Sequence, residues 1–169
     1  NAGTMAQRIM QYQAALQLSA SAPQLYNMQE LHRQMLQVLG IQDVDDIVPN
    51  PADIKPADPV SENMDMINES PVQAFEYQDH EAHIKVHMSA MQDPEVTEMA
   101  GQSPAAEVIM SSLDSHVREH LAFQYRRQIE QELGTDLPPM GEELPEDIEK
   151  RLSTMVAEAA EQLLGKKQM

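Results

Sequence analysis

Met5, Ile9, Tyr12, Leu16 and Ala20 recur at spacings of four, three, four and four, while Gln7, Gln11, Gln13 and Gln17 take the other faces. An apolar stripe at that period predicts an amphipathic helix. Pro23 interrupts it, and Ser21 with Gln24 has the spacing of a capping box for a second helix carrying Leu25, Met28, Leu31, Met35, Leu36 and Leu39. Gly40 supplies the stop, because glycine enters the left-handed backbone region without steric cost. Residues 1–40 are therefore read as a helical hairpin.

The pattern then fails. Pro49, Pro51, Pro56 and Pro59 each remove a backbone donor and disfavour helix in the residue before them, so 41–71 reads as an extended acidic connector with one short helix. That helix opens at Asp58-Pro59, an N-cap followed by proline at the first helical position, runs through Met64, Met66 and Ile67, and is ended by Pro71. Residues 72–134 read as central helices: one from Val72 or Phe75 to Met91, a short one from Asp93-Pro94 to Gly101, and one opening at Ser103-Pro104. This last meets no proline or glycine until Gly134, about 30 residues, which as continuous helix spans roughly 45 Å. Residues 135–169 give a loop with Pro138 and Pro139, then a helix after Pro145. That helix carries Ile148, Leu152, Met155, Val156, Ala159, Leu163 and Leu164, with Lys166 and Lys167 at the end where cations suit the helix dipole.

Composition supports an all-α class: a hairpin plus an elongated helical bundle around one long helix. Aromatic residues make up only 4% of the 169, and Met supplies 13 of the hydrophobic positions, a core suited to helix packing rather than to sheets. The 28 acids against 11 bases give a formal charge of −17, which disfavours direct binding of nucleic acid. Disulfides, thiol-rich metal sites and a thiol nucleophile are excluded, since the chain has no cysteine. No apolar run approaches the roughly 18 residues of a membrane span, so no membrane partner is expected. The opening Asn1-Ala2-Gly3-Thr4 runs straight into a helical pattern, and we expect a piece of a longer chain.

Histidine is the candidate chemistry. His80, His83 and His87 fall within about 60° of one helical face, Glu76 joins that stripe, and His116 and His120 form an i, i+4 pair on the long helix. If the two helices packed side by side, five imidazoles would meet, and an i, i+4 pair can chelate zinc. Against a metal stand the missing Glu-x-x-His of bundle di-iron sites, the missing His-Glu-x-x-His, and the roughly 10 Å along the axis between His80 and His87. We therefore read the histidines as hydrogen-bonded at helix or subunit contacts, and assign no catalytic residue, metal ligand or cofactor. A metal-binding helical-bundle enzyme on these five histidines is the alternative. Ser111, Ser112 and Ser115 lie inside a helix without a nucleophile elbow, and there is no phosphate-binding Gly-rich loop. Arg118, Arg126 and Arg127, interleaved with Phe123 and Tyr125, make a weak nucleic-acid footprint; Arg126 and Arg127 suit pairing with Glu130 and Glu119.

Several strings carry a resemblance. The run from Met5 to Leu18, then Ala22-Pro23-Gln24-Leu25-Tyr26, Leu31-His32-Arg33-Gln34-Met35 and Leu39-Gly40 resemble the region following the body of P22-like portal proteins of tailed bacteriophages. Gln78-Asp79-His80-Glu81-Ala82-His83-Ile84, Gln92-Asp93-Pro94 and His120-Leu121-Ala122-Phe123-Gln124-Tyr125-Arg126 are similar to the same family. The resemblance implies a ring of usually twelve subunits at the portal vertex of the virion, assembled in the host cytoplasm. It implies terminase, head-completion and tail proteins as partners, and DNA passing through without sequence-specific binding. It also implies that the chain is the C-terminal, helical part of a larger, non-catalytic protein, since the packaging ATPase belongs to the terminase.

Overall fold

In the computed structural model, which describes residues 3–165, every regular element among the described residues is helical, as the scarcity of strand formers dictates. The chain divides into two compact units, Asn1–Ile54 and Lys55–Met169.

In the first unit, α1 (Met5–Ser19) begins under a true capping box: the Gln7 N–H donates to Thr4 Oγ1 at 3.2 Å and the Thr4 N–H to Gln7 Oε1 at 3.0 Å. The box expected at Ser21 and Gln24 does not form. Ser21 Oγ instead donates back to the Leu18 carbonyl at 2.9 Å, and Pro23–Leu25 closes a single 3-10 turn. The second helix, α2 (Met28–Val38), starts under Asn27, whose side chain accepts from the Glu30 N–H, leaving Leu25 off the helix and 77% exposed. Gly40 takes φ +81°, the left-handed stop expected of it. α1 packs on α2, with Tyr12 OH donating to Gln34 Oε1 at 3.0 Å. The following segment is not extended: it holds α3 (Val44–Ile47) and a 3-10 turn at Pro51–Asp53. Side chains of α2 fold it back, Arg33 donating to Asp45 and the Val48 carbonyl, and Gln29 to the Pro49 carbonyl.

In the second unit, Asp58 caps α4 (Pro59–Ile67) by accepting from the Ser61 N–H at 3.0 Å, with Pro59 at the first helical position as expected. The helix ends before Pro71 is reached: Glu69 turns to φ +61°, and the Ser70 N–H bonds back to the Asp65 carbonyl at 2.7 Å. α5 (His80–Gln92) starts later than the apolar pattern suggests. Backbone groups of 74–75 are taken by side chains instead, the Ala74 N–H by Glu119 Oε2 at 3.2 Å and the Phe75 N–H by Gln78 Oε1 at 2.8 Å, and Asp79 then caps α5. Glu76 is therefore not part of a helical stripe.

α6 (Pro94–Gly101) opens under Asp93, and α7 (Ala106–Leu133) follows Ser103-Pro104 by two residues. Its 28 residues span about 42 Å and end at Gly134, φ +73°. α8 (Glu146–Leu164) follows Pro145; Lys166 and Lys167 lie outside the described residues.

The long helix is the spine on which α4, α5, α6 and α8 pack. Near its start Ile109 and Leu113 meet Met66 and Ala100; farther along, Val117 and Leu121 meet Ile84, Ala159, Ala160 and Leu164. Interleaved with these apolar residues, His116 and His120 carry a polar layer into the core. Among the described residues no helix is long and apolar enough to cross a membrane.

Candidate functional site

Side-by-side packing of α5 on α7 brings the five histidines of the two stripes together, and all are buried, none more than 6% exposed. Their rings nearly touch: His83 and His116 each lie 4.6 Å from His120 between centroids, and His87 lies 4.7 Å from His116. A third wall comes from α4, whose Glu62 is 2% exposed. Its Oε1 lies 2.9 Å from His83 Nδ1, 3.1 Å from His116 Nε2 and 3.2 Å from His87 Nε2. One atom each from Glu62, His83, His87, His116 and His120 falls within 4.8 Å of every other. His80 stands outside that group, as its distance along the helix from His87 foretold, and stacks on Phe123 at 5.1 Å.

The outer partners fix which ring nitrogens carry protons. A carbonyl only accepts, so His80 Nε2–H donates to the Glu76 carbonyl at 3.0 Å. Neutral His80 then offers a lone pair at Nδ1, and His120 Nδ1–H donates to it at 2.8 Å. His120 Nε2 is left bare, 3.2 Å from His116 Nε2. His87 Nδ1–H donates to Asn63 Oδ1 at 2.6 Å, an orientation of the amide that lets Asn63 Nδ2 reach the Val86 carbonyl at 3.5 Å. His87 Nε2 is therefore also bare. By distance alone it pairs with Glu62 Oε1, but two lone pairs face one another there, and the atom has no hydrogen-bond partner. His116 Nδ1–H points at Glu119 Oε1 at 3.4 Å, which leaves Nε2 facing Glu62 and His120.

One proton relieves part of this crowding. Burial works against a charge on His116, yet hydrogen bonds to Glu119 and Glu62 outweigh it and raise its pKa to about 9. Burial likewise disfavours the Glu62 carboxylate, but the hydrogen bond from His116 prevails and holds its pKa far below the usual range. The pKa values of His80, His87 and His120 are pushed down, in each case chiefly by burial. Those three contribute stability that is present above the ordinary imidazole value of 6.5 and lost as pH falls below it. His116 contributes in the opposite sense, fully below 6.5 and progressively less as pH rises through about 9. In a chelating buffer the urea midpoint is therefore expected to peak near pH 6.5, with each proton taken up on the acid side costing about 1.4 kcal/mol per pH unit. A midpoint level from about pH 6.5 to about 5 would contradict this.

Arg126 and Arg127 take other partners than the Glu130 and Glu119 expected of them. Arg126 donates to the Pro138 carbonyl and Arg127 to the Glu76 carbonyl at 2.6 Å, while Arg118 pairs with Asp114 one turn back. Glu130 accepts from the Leu137 N–H and Glu119 from the Ala74 N–H, so both are used to dock loops on α7. Glu62, Asn63 and Glu119 are the site residues that histidine spacing does not reveal. Glu62 does leave a trace: it shares a helical stripe with Met66, an acid where an apolar residue belongs. Comparison with the models of known protein families, with curated proteins and with solved structures finds no match to this chain.

Proposed function

We propose that the chain is a non-catalytic structural part of a bacteriophage portal ring, acting in subunit assembly and partner docking. The observation that carries the non-catalytic half is the sealing of the His/Glu cluster, whose five members are 0–6% exposed. Acid–base groups placed there act between helices, tying α4, α5 and α7, and offer no face to a substrate. A metal-dependent enzyme on the same histidines needs a route by which substrate reaches them, and the burial weighs against it.

The portal half is supported by the sequence resemblance, whose strings fall in both compact units. In this reading the acidic surface, with its net charge of −17, suits a wall past which DNA slides without being held. The ring number, the terminase, head-completion and tail proteins as partners, and the place at the virion's portal vertex come with the same reading.

Native mass measurement of the full-length protein carrying this chain tests it. A closed ring of about a dozen subunits is expected. A strictly monomeric species under assembly conditions overturns the reading.

A further inference from the structure

The polar layer in the second unit has more acceptors than donors. The outer nitrogens of His87, His116 and His120 are bonded to Asn63, Glu119 and His80 respectively, which leaves the Nε2 atoms of His87 and His116 facing the Glu62 carboxylate and that of His120 facing His116 Nε2. Three imidazole nitrogens and an anionic oxygen converge, and a proton on His116 Nε2 can serve only Glu62 and His120. His87 Nε2 is left fully buried without a donor, a state that proteins seldom tolerate.

The geometry points to a buried divalent transition-metal site, with zinc its best-fitting ion, ligated by His87 Nε2, His116 Nε2, His120 Nε2 and Glu62 Oε1. Around a zinc ion with bonds of about 2.0–2.2 Å, tetrahedral ligand atoms lie about 3.3 Å apart. Three of the six edges match it: 3.1 Å from Glu62 to His116, 3.2 Å from Glu62 to His87 and 3.2 Å from His116 to His120. The donor set is three imidazoles and one carboxylate, the borderline chemistry that selects zinc and its neighbours over calcium or magnesium. It includes an i, i+4 pair, His116 and His120, on α7.

The surroundings are those of a ligand shell rather than of a hydrogen-bonded core. Each ligating ring donates its other N–H outward, to Asn63 Oδ1, Glu119 Oε1 or His80 Nδ1, which sets both its tautomer and its orientation. His83 completes the shell by donating Nδ1–H to Glu62 Oε1 at 2.9 Å. His83 and His80 are thus positioning residues. A metal bound here joins three helices with all four positions taken by protein, a closed structural site. The site does not depend on ring formation, so metal uptake and assembly are tested separately.

The test uses the 169-residue chain made without a histidine tag, stripped with chelator, shown to be helical by circular dichroism, and titrated with zinc chloride. One equivalent by elemental analysis is expected, with the unfolding midpoint raised about 10 °C at a hundredfold excess over Kd. Cobalt chloride is expected to give the visible bands of four-coordinate cobalt. His116→Gln and His120→Gln should abolish uptake, His83→Gln and His80→Gln should weaken it about 10- to 100-fold, and His32→Gln in the first unit should leave it unchanged. A folded stripped chain that takes up less than about a tenth of an equivalent, with its midpoint unmoved by zinc or cobalt, overturns the proposal. Wild-type affinity in His116→Gln and His120→Gln does so too. Should those variants not fold, the wild-type stoichiometry and cobalt spectrum decide.

Discussion

Glu62→Gln is expected to cost the metal-free second unit about 3 kcal/mol at pH 6.5, read as a drop in urea midpoint with unchanged slope. The carboxylate is 2% exposed and, among the described residues, is the one anion fully inside the layer of five imidazoles; Glu119 reaches it from a half-exposed position. Breaking one side of a buried ion pair usually costs about 3–5 kcal/mol, because the remaining charge is left in a poorly solvating interior. Two features hold the loss to the lower end: the remaining His116 can shed its proton, and Glu119 keeps its contact at 3.4 Å. The same change should bring the His116 pKa down from about 9, which a histidine proton titration by NMR reads directly. Because that stabilisation is full below pH 6.5 and fades towards 9, the difference between variant and parent should shrink as pH rises. A loss below about 1 kcal/mol, with His116 still titrating near 9, would show that Glu62 does not organise the layer.

Much of this layer was legible from spacing alone, and what was not has identifiable causes. Offsets of three and seven on α5 and of four on α7 put the histidines on facing stripes, because helix geometry is local. Helix starts at Asp58-Pro59, Asp93-Pro94 and Pro145, and stops at Gly40 and Gly134, follow from residues that restrict or free their own backbone. The start of α5 does not, because the backbone of 74–75 is satisfied by Glu119, distant in sequence, and by Gln78. Two side chains competing for one role also mislead: Ser21 has the spacing of a cap but its hydroxyl reaches back to Leu18, and Asn27 caps α2 instead. Glu62 was hidden by abundance, as one of 28 acids 21 residues before the nearest histidine it meets. Only its place on the stripe of Met66 sets it apart. The portal resemblance and the histidine geometry meet in the string from Gln78 to Ile84, which opens α5 and supplies His80 and His83 to the layer.

The second large effect is expected from Leu113→Ala. Leu113 is fully buried on α7, packed with Met66 of α4, Ala100 of α6 and Ile109 one turn back. Removing its three terminal carbons should cost about 2–5 kcal/mol, and the flexible Met66, Met91 and Met110 around the gap favour a value near 3 through partial collapse. Leu25→Ala, at a site 77% exposed, should move the urea midpoint by no more than about 0.5 kcal/mol equivalent. The consequence reaches the polar layer, because Met66 and Glu62 lie one turn apart on the same helix. If α4 settles into the space left by Leu113, Glu62 Oε1 leaves the 2.9–3.2 Å separations it keeps from His83, His87 and His116. Zinc affinity should then fall along with stability, since part of the binding free energy is spent re-seating α4. A variant that lost about 3 kcal/mol yet bound zinc as tightly as the parent would show α4 to be held by the histidine layer and not by the apolar contact beside it.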